Sequence, residues 1–91
     1  MKKTFEFRSE EENYALVNTN PNDTQEPFKI DKEEMQFDTN RFYQYVFSDV
    51  TTDMQIDIID QTGESDKSAK RVYGIILEIA SGVMQKLNEH G

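Results

Sequence analysis

The chain has no cysteine and no tryptophan, one histidine, two prolines and four glycines among its 91 residues. Each shortage excludes some chemistry. Without cysteine there is no disulfide framework, no thiolate metal site and no thiol nucleophile, and a reducing compartment, the cytoplasm, is the expected location. The single His90 stands beside Gly91, where a terminal side chain is ordinarily solvated. Neither a Ser-His-Asp nor a Cys-His arrangement can then be assembled. The glycines stand apart from one another, so no glycine-rich phosphate loop is present. No apolar run follows Met1-Lys2-Lys3, and no stretch approaches a membrane span in length. The sequence therefore predicts a single non-catalytic domain over residues 1–91, with no cofactor, no metal and no membrane association.

Bases are scarce as well. Ten Lys and Arg face 18 Asp and Glu, for a net charge of −8. The excess is concentrated: from Ser9 to Asp66 there are 15 carboxylates against Lys29, Lys32 and Arg41 alone. Such a field repels phosphates, which argues against direct nucleic-acid binding and anionic membranes, and it attracts basic proteins. What the chain does have is aromatic residues, six Phe and four Tyr. That is more than a disordered polar segment usually carries, so a small folded core is expected.

Thr4–Arg8 alternates Phe5 and Phe7 with Glu6, the pattern of a strand. The polar Ser9–Asn13 links it to a second strand at Tyr14–Thr19, as in a hairpin. "NTNPNDTQEP" (18–27) is a loop, and Phe28 and Ile30 open a third strand. In "DTNRFYQYVFSDV" the apolar Phe42, Tyr43, Val46, Phe47 and Val50 fall at helical spacing after Asp38 or Thr39 as N-cap. Alternation of Tyr43, Tyr45 and Phe47 offers a strand as the rival. Met54, Ile56 and Ile58 share one face of a further strand, with Asp53, Gln55 and Asp57 on the other. Ser65 is the expected N-cap of the last helix, with Asp66 in its first turn. From Lys67 to Leu87 one stripe holds Val72, Ile76, Ile79, Val83 and Leu87, and a second holds Tyr73, Leu77, Ala80 and Met84. Together they span roughly 200° of the helix, twice the arc one sheet face needs. The expected architecture is α+β: a small antiparallel sheet in the order β-β-β-α-β-α, with a long C-terminal helix packed on one face.

Two segments invite a functional reading. "DVTTDMQIDIIDQTGESD" (49–66) holds six carboxylates and no base. Asp60, Thr62, Glu64 and Asp66 alternate like calcium ligands, but Gly63 is fourth where an EF-hand loop needs glycine sixth, and the twelfth residue is Arg71. A turn and helix cap is the better reading. Asp49, Asp53, Asp57, Asp60, Glu64 and Asp66, joined by Glu10, Glu11 and Glu12, form the candidate acidic face for a basic protein partner, including a nucleic-acid-binding protein whose ligand they imitate. In size and charge the chain resembles small acidic phage and mobile-element proteins that block DNA-binding enzymes, although no motif carries the resemblance. The alternative is a homodimeric assembly protein joined through the second stripe, Tyr73, Leu77, Ala80 and Met84, because leftover apolar surface commonly marks a contact. The aromatic cluster Phe42, Tyr43, Tyr45 and Phe47 is read as core in preference to a ligand box.

Overall fold

Four strands and two helices follow in the order β1 (Lys2–Ser9), β2 (Asn13–Asn18), β3 (Phe28–Asp31), α1 (Thr39–Val46), β4 (Gln55–Asp60) and α2 (Lys67–His90). They come from a computed structural model that describes residues 2–22, 25–48, 50–51 and 53–90. Asp49 and the side chains of Leu87 and His90 lie outside the described residues. The α+β class, the element order and the long final helix are as the sequence predicts.

The sheet has the order β3-β2-β1-β4. β1 and β2 form the expected antiparallel hairpin, Ser9 opposite Tyr14 and Phe7 opposite Leu16. Glu10 N–H donates to the Asn13 carbonyl at 2.8 Å to close the turn. β3 returns antiparallel to β2, with Tyr14 opposite Ile30 and Leu16 opposite Phe28. The sheet is mixed, however, and the all-antiparallel expectation is corrected on this point. β4 runs parallel to β1, pairing Phe5 with Ile58 and Phe7 with Asp60. Parallel neighbours need a long connection. The chain supplies one: after β3 it passes through α1 across the sheet and begins β4 beside the start of β1.

This register puts Phe5, Phe7, Tyr14, Leu16, Phe28, Ile30, Ile56 and Ile58 on one face, and both helices cover that face. Phe5, Phe7, Leu16, Ile30, Phe42, Val46 and Ile76 are fully buried there. Each large apolar side chain so removed from water stabilises the fold by about 1.5–3 kcal/mol. α1 is a helix and the rival strand is excluded, because Asp38 accepts from the N–H groups of Asn40 (2.9 Å) and Arg41 (3.4 Å) and so caps it. Phe42 packs edge-on to Phe28 at 6.0 Å, and Tyr45 donates its hydroxyl to the Leu16 carbonyl at 3.1 Å. The aromatics of α1 are core, apart from the exposed Tyr43.

α2 lies along β1 and β4. Ala69, Val72, Ile76 and Ala80 are its buried line. Its N-cap is Asp66 and not Ser65: a carboxylate oxygen of Asp66 accepts from the Ala69 N–H at 3.0 Å, and both its oxygens lie 3.2 Å from the Tyr14 hydroxyl. That tertiary bond from β2 fixes the cap one residue later than local propensity suggests. Gly63, at φ +88°, turns the chain into the helix, a backbone conformation that glycine adopts without a Cβ penalty.

Candidate functional site

The face of the sheet without helices is set by the alternate residues of the same register. It carries Lys2, Glu6 and Arg8 of β1, Lys29 and Asp31 of β3, and Asp57 of β4. Two ion pairs join the charges of β1 and β4, Lys2–Asp57 at 2.6 Å and Arg8–Glu6, while Lys29 and Asp31 on β3 belong with the acidic end of the sheet. The open face of the sheet is charge-balanced. The protein's acidity is elsewhere.

β1, β3 and β4 point the same way, so their C-terminal ends share one end of the molecule with the β1–β2 turn. There the hairpin tip brings Glu10, Glu11 and Glu12, and the turn after β3 brings Asp31, Glu33 and Glu34. The Lys32 N–H donates to the Glu12 carbonyl at 3.0 Å, which ties the two segments together. Asp31 Oδ1 accepts from the N–H groups of Glu33 (2.7 Å) and Glu34 (3.2 Å), fixing that turn. A surface depression of about 350 Å³ lies between Glu11, Glu12, Asp31, Lys32 and Glu33. Two lysines among these carboxylates are engaged: Lys29 pairs with Glu10 at 3.1 Å, and the Lys32 ammonium stands 5.1 Å from the centroid of the Tyr14 ring. Arg71 of α2 reaches the same neighbourhood beside Met35. Glu11, Glu12, Glu33 and Glu34 are exposed and form no ion pair among the described residues.

The six carboxylates singled out in 49–66 are not gathered into one face. Asp53 is exposed before β4, at the opposite end of the sheet, and accepts from the Thr51 hydroxyl. That bond, first among the causes, holds its carboxyl below the usual range. Asp57 is on the open face against Lys2. Asp60 is on the helix side, where it accepts from the Thr62 N–H (2.8 Å) and hydroxyl (2.5 Å) and from Lys70. Burial opposes its ionisation, but Lys70 and Thr62 outweigh burial and leave its pKa lowered. Asp66 is the helix cap, and Glu64 is exposed in the turn before it. Asp49 is outside the described residues. The calcium-like spacing is accordingly a turn and a cap, and no group of three or more acidic or histidine side chains is placed to hold a metal ion among the described residues.

Of the predicted site, Glu10, Glu11 and Glu12 are brought together, and with residues not singled out from sequence, Asp31, Glu33 and Glu34. The signal available for these was the run "DKEE" directly after a strand. The second stripe of α2 divides: Tyr73 donates its hydroxyl to the Ile58 carbonyl, Ala80 is buried, and Leu77 and Met84 remain accessible beside β4. No described helix is long and apolar enough to cross a membrane. No protein-family model, curated protein or solved structure matches the chain.

Proposed function

We propose that the protein is a non-catalytic interaction module that docks its acidic end on a basic surface of another protein. The observation that carries this reading is the convergence of Glu10, Glu11, Glu12, Asp31, Glu33 and Glu34 at one end of the sheet, while the open sheet face is neutral. Acidity that served solubility alone would be interspersed over the surface. Crowding like charges costs folding free energy, and a basic partner returns it on binding. The field steers association and excludes acidic competitors. Its sharpest form is an inhibitor that occupies the basic cleft of a nucleic-acid-binding protein. The lack of cysteine suits work in the cytoplasm. A second reading, assembly of two copies, is favoured by the unprotected edge of β4.

The test is capture from a native lysate with three baits: the wild-type chain, the variant Glu11→Gln/Glu12→Gln/Glu33→Gln/Glu34→Gln, and the control Glu26→Gln/Asp53→Asn/Glu78→Gln/Glu89→Gln. The control removes as many charges from other places. A basic protein held at low salt, released at high salt, kept by the control and lost by the four-site variant is the expected result. A partner indifferent to salt, or equally weakened by both variants, would sink the proposal, because bulk charge would then explain the binding.

A further inference from the structure

The two edges of the sheet are built differently. β3 has four residues, directly follows Pro27 and carries Lys29. Shortness, proline and lysine are the devices that keep an edge strand from pairing with another chain. β4 has six residues with neither proline nor lysine among them. The direction of its backbone groups follows from the ladder. Gln61 N–H donates to the Phe7 carbonyl at 2.8 Å, and Phe7 is the partner of Asp60. In a parallel pair alternate residues bond to the neighbour, so the odd-numbered residues of β4 face β1. Ile56, Ile58 and Asp60 then turn their N–H and C=O groups to the free edge. The Tyr73 hydroxyl on the Ile58 carbonyl agrees with that assignment. No described residue bonds the outward groups of Ile56.

Beside Ile56 a groove of about 310 Å³ opens between β4 and α2, bordered by Ile58, Leu77, Ala80, Ser81 and Met84. Leu77 is 37% exposed on that side of the strand, and Ile59 is 43% exposed on the other. Accessible aliphatic side chains thus flank the free backbone on both faces of the sheet.

Charge decides what fits. Asp57 is paired with Lys2, Asp60 with Lys70, and Gln55 and Ser81 are neutral. In a chain of net charge −8, this strip is locally neutral. It offers no field to a basic partner and little repulsion to a second copy. A two-fold axis relating two antiparallel β4 strands can pass through any residue from Gln55 to Ile59. Through Gln55 it sets Asp53 against Asp57, and through Ile59 it pairs Ile58 with Asp60 and needs the Ile58 carbonyl that Tyr73 holds. Through Asp57 it sets that carboxylate against itself, which disfavours the pair. Through Ile58 it needs the carbonyl that Tyr73 already occupies. Through Ile56 the central bonds use its unbonded N–H and C=O, while the flanking Ile58 carbonyl and Met54 N–H stay with Tyr73 and Thr51; it sets Gln55 opposite Asp57 of the second copy, twice over, with an amide donor facing a carboxylate.

We propose that the protein forms a homodimer by antiparallel pairing of β4 with β4 of a second copy about Ile56, joining two four-stranded sheets into one of eight strands, with Leu77 and Met84 of both copies meeting across the axis. The contact is independent of the acidic end and has the opposite salt response. Added salt weakens docking on a basic partner, whereas it screens repulsion between two acidic copies and maintains or tightens the dimer.

Sedimentation velocity of the full chain over a micromolar concentration series tests this. The wild type is expected to dimerise. Gln55→Asp, which faces Asp57 with a second carboxylate at two symmetric places, should weaken the dimer roughly tenfold, and Gln55→Lys should tighten it. Ile56→Pro removes an N–H that faces away from β1, a position where an edge strand tolerates proline. It should abolish dimerisation, whereas Ile56→Val should retain it. Gln55 is exposed, so its two variants remain informative if the proline variant does not fold. A chain that stays monomeric throughout the series, or a dimer that neither Gln55 substitution alters, overturns the proposal.

Discussion

Asp66 joins two parts of the molecule with one carboxylate. It caps α2 through the Ala69 N–H and accepts from the hydroxyl of Tyr14, which is only 2% exposed. Losing the cap costs about 1 kcal/mol, and losing a hydrogen bond to a charged acceptor costs about as much again. Asp66→Ala should therefore destabilise the protein by about 2 kcal/mol in urea unfolding, and Tyr14→Phe by about half of that. The tyrosines also set an alkaline limit. Burial, followed by the charge and hydrogen bond of Asp66, raises the Tyr14 pKa. Burial raises that of Tyr73, with Asp60 and Asp57 adding to the effect and Lys70 opposing it. A group whose folded pKa lies above its unfolded value binds more protons in the native state, so stability is intact below the unfolded pKa and falls as pH rises beyond it. Unfolding free energy should decline above about pH 10, the ordinary tyrosine value. Both Tyr14→Phe and Tyr73→Phe should flatten that decline. An unchanged slope in both variants would show that other groups set the alkaline limit.

α2 is the element that the sequence specifies most fully, and it also carries two removable weaknesses. A Cβ built on Gly74 or on Gly82 meets no other atom within 4 Å. Each Gly→Ala change should raise stability by about 1 kcal/mol, the helix-interior difference between the two residues, read as a higher urea midpoint with the slope unchanged. The helix was legible because Val72, Ile76 and Ala80 recur at its period, and β4 because Ile56 and Ile58 alternate with Gln55 and Asp57. What escaped the sequence depended on contacts between elements. The parallel pairing of β4 follows from how the α1 connection crosses the sheet, which no local pattern encodes. The one-residue shift of the α2 cap follows from Tyr14 on another strand. The carboxylates of 49–66 were legible as strand, turn and cap, but not in their destinations. Alternation puts Asp57 outward and Asp60 inward, and Asp53 falls at the far end of the sheet. Asp31, Glu33 and Glu34 join Glu10–Glu12 only through the β2–β3 register. Half of the acidic end was thus visible as the run at 10–12, and the other half required the fold.

At the scale of the whole molecule, charge is distributed as poles more than as faces. The open face pairs Lys2 with Asp57 and Arg8 with Glu6, whereas one end crowds the carboxylates of two turns around Lys29 and Lys32. If that end exists to meet a basic surface, the free protein should bear a cost for holding it together. Glu11→Gln/Glu12→Gln/Glu33→Gln/Glu34→Gln removes four exposed carboxylates that have no ion-pair partner among the described residues, so neutralisation relieves repulsion and breaks no described ion pair. Each exposed charge contact contributes a few tenths of a kcal/mol. The variant should therefore be more stable than wild type by on the order of 1 kcal/mol at low ionic strength. Beyond about 1 M salt, where the screening length falls to roughly 3 Å, the difference should vanish. Urea unfolding at the two salt levels measures both quantities. A gain that persists at high salt would come from backbone or solvation effects of glutamine. Absence of any gain at low salt would mean that the carboxylates stand too far apart to repel, and a docking surface of that kind would lose its concentrated field.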